Sequence, residues 1–174
     1  MQDKLREILD EVGSALAAVD PQQMAAFADA LAGADEIFLA GQGRSGLVAA
    51  AFATRLVHLG KRAHLVGAPT ASAAGPVSLL VACSGSGHTR ATVAHTQRAR
   101  AAGSAAWAIT ADPSSPLATA ADHVVAIPMP PSIQPGNSAF EQALLILLDA
   151  VVLRLMAKLG QTPQAMLARH ANLE

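Results

Sequence analysis

Short, nearly uninterrupted apolar runs alternate along this chain with longer stretches whose apolar positions recur every three or four residues, and that alternation is the signature of βαβ units. The runs at residues 36–40, 63–66, 77–83, 105–110 and 123–127 predict five buried strands. Helices are predicted between them at residues 46–59, 89–102 and 116–120. An opening helical pair is expected at residues 4–18 and 21–32. Asp20 is placed as its second N-cap, Pro21 in the first turn, and Gln23 three positions after the cap. Gly33, Gly60 and Gly103 stand where helices should stop. The tail reads as a long helix over residues 139–159 and a last one over 163–170 behind Thr162. The fold class that follows is α/β: a doubly wound, flavodoxin-like, five-stranded parallel sheet of order 2-1-3-4-5 flanked by helices. Residues 1–174 form one domain, with a helical pair at 1–33 and oligomer and active-site elements at 139–174.

Two of the predicted strands run straight into glycine-rich turns, Gly41-Gln42-Gly43-Arg44-Ser45-Gly46 and Ser84-Gly85-Ser86-Gly87-His88-Thr89. Glycines let the backbone turn tightly and approach a ligand, while free N–H groups at the following helix start and nearby hydroxyls can hold an anion. In a sheet of order 2-1-3-4-5 the strand order reverses between the first and third strands, so both turns border one crevice. Two known phosphate motifs fit poorly. The dinucleotide fingerprint needs an acid at the end of the next strand, which here reads Leu65-Val66-Gly67-Ala68, and the P-loop ending Gly-Lys-Ser/Thr is missing. Plain strand-to-helix geometry without a ligand is the alternative for either turn.

Composition narrows the function further. Twelve Lys and Arg against 13 Asp and Glu leave no field of one sign for nucleic acid or an anionic membrane. Aromatic residues make up 3% with no tyrosine, which argues against base stacking. The single Cys83 closes a predicted buried strand, reads as structural, and fits a reducing cytoplasm. The N-terminus lacks the basic-then-apolar pattern of a signal peptide, and the apolar stretch from Ala143 to Met156 carries Asp149 and Arg154. That stretch is expected to be a helix buried nearly all round, through a subunit interface. His58, His64, His95 and His123 lie on different elements, so no metal-ligand spacing is visible.

Gly43-Arg44-Ser45-Gly46, with Phe52-Ala53-Thr54-Arg55-Leu56-Val57-His58-Leu59-Gly60 downstream, is similar to sugar isomerase (SIS) domains, and Ser84 to Thr89 resembles their second sugar-phosphate loop. Phe140-Glu141-Gln142 at the head of the long helix and the terminal His170-Ala171-Asn172-Leu173-Glu174 resemble the 6-phospho-3-hexuloisomerase family over essentially the whole chain. The resemblance implies interconversion of 3-hexulose 6-phosphate and fructose 6-phosphate, the step after formaldehyde is condensed onto ribulose 5-phosphate in the ribulose monophosphate pathway. Such a shift of a carbonyl between adjacent carbons needs no redox cofactor and no metal. The chain departs from that family at His88, where Glu is usual, and at Gly67-Ala68, where Gly-Glu is common. Its segment 68–76 lacks the usual Thr-Pro and Gly-Asp elements.

Moving a carbonyl between adjacent carbons requires a base for a carbon-bound proton and a second group that moves protons between oxygens or opens a ring. Glu141 and His170 are the catalytic candidates. Gly43, Arg44, Ser45, Ser84, Gly85, Ser86, His88 and Thr89 are the candidates for holding the sugar phosphate. Each has a plainer reading. Ser138-Ala139-Phe140-Glu141 fits a capping box, the hydroxyls fit helix caps, Arg44 fits a surface ion pair, and His170 a helix-end cation. His170 on the terminal tail is also placed to enter the pocket of a neighbouring subunit. The expected partners are the substrate and further copies of the chain, as a tetramer. An isomerase of another sugar phosphate, or a non-catalytic sugar-phosphate-sensing module, are the alternatives.

Overall fold

The computed structural model describes residues 1–173, so the last residue of the expected terminal signature lies outside the described residues. Its elements run α1 (Gln2–Ala17), α2 (Pro21–Gly33), β1 (Glu36–Gly41), α3 (Gly43–His58), β2 (Arg62–Leu65), β3 (Ser78–Cys83), α4 (Arg90–Ala101), β4 (Ala105–Thr110), α5 (Pro116–Ala120), β5 (His123–Ala126), α6 (Ser138–Lys158) and α7 (Pro163–Leu167). All strand pairings are parallel and the order is β2-β1-β3-β4-β5. Because β1 connects outward one way and β3 the other, right-handed crossovers put α3 and α4 on opposite faces of the sheet. A crevice opens between their N-termini.

Side chains alternate across the strands to build a core on each face. Ile37, Leu39, Leu79, Val81 and Ile109 point to the face covered by α1, α2, α3 and α6, where Phe27, Leu56, Leu144 and Leu148 are fully buried. Phe38, Ala40, Leu80, Ala82 and Ala108 point to the other face, under α4 and α5. The small residues on that side let α4 sit close.

Several start and stop signals act as expected. Asp20 Oδ1 accepts from the Gln22 N–H at 2.7 Å, and Gly60 and Gly103 both take φ of +87° just after their helices. Gln23 does not complete a capping box. Its Oε1 accepts from the Ala126 N–H at 3.0 Å and so ties α2 to the end of β5. The third helix begins at Gly43, three residues before its predicted start, because Gly46 is already helical and only Gly43 takes a left-handed φ, +55°. Gly46 is bare for packing: a Cβ there would lie 2.8 Å from the Gly41 carbonyl oxygen. Within one chain α6 is buried along one side only. Leu145, Ile146 and Leu153 are exposed, so the expected burial nearly all round depends on a subunit interface over that side.

Candidate active site

The register Gly41↔Cys83 sets the ends of β1 and β3 side by side, so the two glycine-rich segments leave the sheet at one mouth. The head of α6 closes over both. Arg44, from the first turn of α3, donates its Nε–H to Glu141 Oε2, an ion pair across 97 positions of sequence. Phe140 lies against the second turn so closely that a Cβ on Gly85 would meet its ring at 2.9 Å. Glu141 therefore faces the mouth with its side chain 12% exposed, while the Arg44 side chain is 63% exposed. The capping-box reading of Ser138 and Glu141 does not hold. Asn137 is the N-cap, without a side-chain bond, and the Ser138 hydroxyl donates to the Pro135 carbonyl at 2.8 Å.

The second turn is braced from several sides. The Ser84 and Thr89 hydroxyls are 3.0 Å apart, and Ser84 Oγ accepts from the Gly87 N–H at 3.2 Å. The Gly85 carbonyl accepts from the Thr110 hydroxyl at 3.2 Å and from the Ala111 N–H at 3.0 Å. Gly87 has φ of +66°, and a Cβ on it would fall 2.0 Å from Ser115 Oγ. Ser86 and His88 stand exposed on the rim, whereas Ser45 and Ser84 are buried in the walls.

Helix caps mark this mouth as a place for an anion. The caps of α2, α5 and α7 use the side chains of Asp20, Ser115 and Thr162. The three helices that start at the mouth, α3, α4 and α6, have N-caps Gln42, Thr89 and Asn137 with no side-chain bond. Apart from the Ser138 N–H, which donates to the Pro135 carbonyl at 3.3 Å, their first N–H groups have no side-chain acceptor and can meet a ligand, and the helix dipoles favour a negative one. The far helix α1 is likewise uncapped, so the argument rests on the convergence of three such ends.

His170 is not brought to this mouth within the chain. Its ring lies 5.1 Å from that of His58, at the far end of α3, about 21 Å from Arg44 at the helical rise per residue. Arg169 fastens it there, donating to the His58 carbonyl at 3.0 Å and to Gln161 Oε1 at 2.9 Å. The two histidines border a cleft of about 460 Å³ with Arg55 and Asp149. Burial, then the charges of His170 and Arg55, hold the His58 pKa below its ordinary 6.5. Cys83 is fully buried and its thiol is pushed up to about 12, so it is an inert core residue.

Three contributors were missed from sequence. Asn137 and Phe140 pack on Gly85, and Asp112 lies just past β4. Asp112 accepts from the Ser114 N–H at 2.8 Å and from its hydroxyl at 2.6 Å. Those two bonds, with a smaller contribution from His88, hold its carboxyl below the ordinary value. Its position directly after a strand, at the edge where a doubly wound sheet binds ligands, was the available signal.

Known proteins place the chain. The SIS domain family matches residues 30–154. The 3-hexulose-6-phosphate isomerase of Bacillus subtilis (strain 168) is 37% identical over 177 residues, covering 97% of this chain and 96% of that protein. The 3-hexulose-6-phosphate isomerase of Mycobacterium gastri is 38% identical over 180 residues, covering 99% and 90%. A solved structure of a hypothetical protein from Methanococcus jannaschii, described as inferring 3-hexulose-6-phosphate isomerase function, superposes with a TM-score of 0.91. It is 28% identical and covers 99% of each chain. With the sheet order, the paired glycine-rich turns and these full-length likenesses in agreement, the chain belongs to the SIS-domain family and, within it, to the 3-hexulose-6-phosphate isomerases.

Proposed function

We propose that this chain interconverts 3-hexulose 6-phosphate and fructose 6-phosphate through an enediol, as part of formaldehyde fixation by the ribulose monophosphate pathway. The observation that carries the reading is the Arg44–Glu141 pair, held over a mouth where three uncapped helix starts converge. The relatives' shared name, 3-hexulose-6-phosphate isomerase, supplies the substrate.

In this reading the phosphate is held by the Ser84, Ser86 and Thr89 hydroxyls and by the Gly85 N–H, with His88 beside them on the rim, its own N–H donating to Ser86 Oγ at 3.2 Å, and with Gly43 and Ser45 contributing from the first turn. Glu141 takes the proton from the carbon beside the carbonyl and returns it to the neighbouring carbon. Arg44 keeps the carboxylate aimed before the substrate arrives. Its remaining N–H donors then lie beside the oxygen that gains negative charge in the enediolate. Hydrogen leaves one carbon and arrives at the next, so the reaction balances without an outside oxidant or reductant.

His170 cannot reach its own chain's Glu141, and its part in this reading, opening a cyclic substrate, belongs to a second copy. The apolar stripe of Leu145, Ile146 and Leu153 on α6 gives such a copy a surface to pack on, in the tetramer that the reading includes. No helix among the described residues is long and apolar enough to cross a membrane, and the reading places the protein in the cytoplasm.

Direct assay against enzymatically made 3-hexulose 6-phosphate and a panel of pentose, hexose and heptulose phosphates tests the reading. Turnover of 3-hexulose 6-phosphate should exceed that of every other member. A preferred heptulose or pentose phosphate would replace this substrate, and binding without turnover of any member would leave a sensor.

A further inference from the structure

Glu141 can act only while the first turn of α6 is held over the mouth, and helix ends without caps tend to fray. This end has no cap bond: its N-cap, Asn137, uses no side-chain atom. The segment before it, residues 128–137, belongs to no helix or strand, and a cavity of about 230 Å³ lies between that segment and the head of α6, lined by Met129, Gln134, Asn137 and Phe140 among others. Close packing does not fix the segment.

What fixes it comes from α1. Glu11 Oε1 accepts from the Ile133 N–H at 2.8 Å, and Glu11 Oε2 accepts from the Ser132 hydroxyl at 2.8 Å and from Gln134 Nε2 at 3.0 Å. Gln134 Nε2 also donates to Gln142 Oε1 at 3.1 Å, and Gln142 Nε2 donates back to Gln134 Oε1 at 3.0 Å. Gln142 directly follows Glu141 on α6. Among the described residues, every hydrogen bond that ties residues 128–137 to another part of the chain runs to Glu11 or to the start of α6.

Carboxylate oxygens only accept, so the side of Gln134 that meets Glu11 is its NH₂ group, and its carbonyl oxygen is left to face Gln142. One ion thereby sets the direction of both amides. The bonds from Gln134, Ile133 and Ser132, in that order, hold the Glu11 carboxyl below its ordinary 4.5, so it is ionised at neutral pH.

We propose that Glu11 is the positioning residue for Glu141: by way of Gln134 and Gln142 it holds the first turn of α6, and with it the proton-abstracting carboxylate, at the mouth. The proposal rests on the isomerase reading above. Gln142 sits about 100° round the helix from Glu141, so gripping the one sets the direction of the other. Arg44 then holds the tip of the carboxylate while the Glu11 relay holds the helix that carries it.

The test measures isomerisation of fructose 6-phosphate by wild type, Glu11→Gln, Glu11→Ala, Gln142→Ala and the double variant of the last two, each under conditions where its urea unfolding curve shows it folded. Glu11→Ala should lower kcat by about 10–10²-fold, the scale of a misplacement near 1 Å, while KM and the binding of inorganic phosphate stay within about twofold because the glycine-rich turns are untouched. Deuterium uptake at the substrate carbon from heavy water should fall with kcat. Glu11→Gln, with the same shape and one acceptor oxygen, should lose less. Gln142→Ala should match Glu11→Ala, and the double variant should be no slower than either, since both break one relay. A purely structural role would shift the urea midpoints and leave kcat of the folded protein unchanged. That result would overturn the proposal alone, and Glu11→Gln with Gln142→Ala decides it in the same way should Glu11→Ala fail to fold. A wild type that neither isomerises nor exchanges would overturn the isomerase reading with it.

Discussion

The two glycine-rich turns look alike in sequence and are built in opposite ways. The first packs only on itself, Gly41 against Gly46, and is open at Gly43, where nothing lies within 4 Å of a Cβ; the helix starts at once, and its exposed Arg44 reaches across to Glu141. The second is enclosed. Phe140, Asn137, Thr110 and Ser115 crowd its glycines, and its own hydroxyls bond within the turn. One turn supplies a charged arm and the other a fixed wall. A small molecule that must be gripped by its phosphate and worked on at its far carbons needs both.

Substitutions should separate the two roles. The largest effect is expected at Gly87→Ala, where the new methyl would fall 2.0 Å from Ser115 Oγ and the backbone sits at φ of +66°. Ser115 is 1% exposed and caps α5, so it cannot retreat, and a loss of at least about 4 kcal/mol should appear in denaturant unfolding. Arg44→Ala should leave unfolding nearly unchanged yet lower kcat by about 10²–10³-fold, because a donor to the developing oxyanion is gone. If Arg44→Ala destabilised the fold instead, the first turn would be as structural as the second. Ser84→Ala removes the Thr89 contact and one of the two acceptors of the Gly87 N–H, which keeps the Ser84 carbonyl at 3.1 Å, and should cost about 1–2 kcal/mol of stability. Gly43→Ala has room but must hold a left-handed φ, and about 1–2 kcal/mol is expected.

The smallest effect lies at the other end of α3. His58 has its folded pKa depressed by burial and by the nearby His170 and Arg55 charges, so on acidification the unfolded chain takes up the proton first. Stability should therefore decline as pH falls below the ordinary value of 6.5 and level off once the folded pKa is passed. His58→Gln should flatten that slope in urea midpoints compared between about pH 7 and about pH 5.

Much of this architecture was legible before any coordinates, for physical reasons. Parallel strands buried on both faces read as apolar runs, and glycine and proline punctuate them, so the five strands and most element ends followed, while the order 2-1-3-4-5 came from the doubly wound fold class. The start of α3 was misplaced because Gly43 and Gly46, two glycines of one six-residue motif, look equivalent in sequence. One turns the chain and the other makes room for the Gly41 carbonyl. The pairing of Arg44 with Glu141 turns the carboxylate away from its own helix start, and it joins residues that only the sheet brings together. The place of His170 was hidden for the same reason. It is set by Arg169 reaching the His58 carbonyl, a contact no local pattern encodes.

The central claim is that the Glu141 carboxylate, presented by Arg44 over the shared mouth, removes the proton beside the sugar carbonyl. Heavy-water exchange into fructose 6-phosphate reads that step directly, with wild type and Glu141→Gln compared side by side. Wild type should place deuterium on the carbon next to the carbonyl, and Glu141→Gln should place none while still binding inorganic phosphate. Exchange by Glu141→Gln at the wild-type rate would contradict the account.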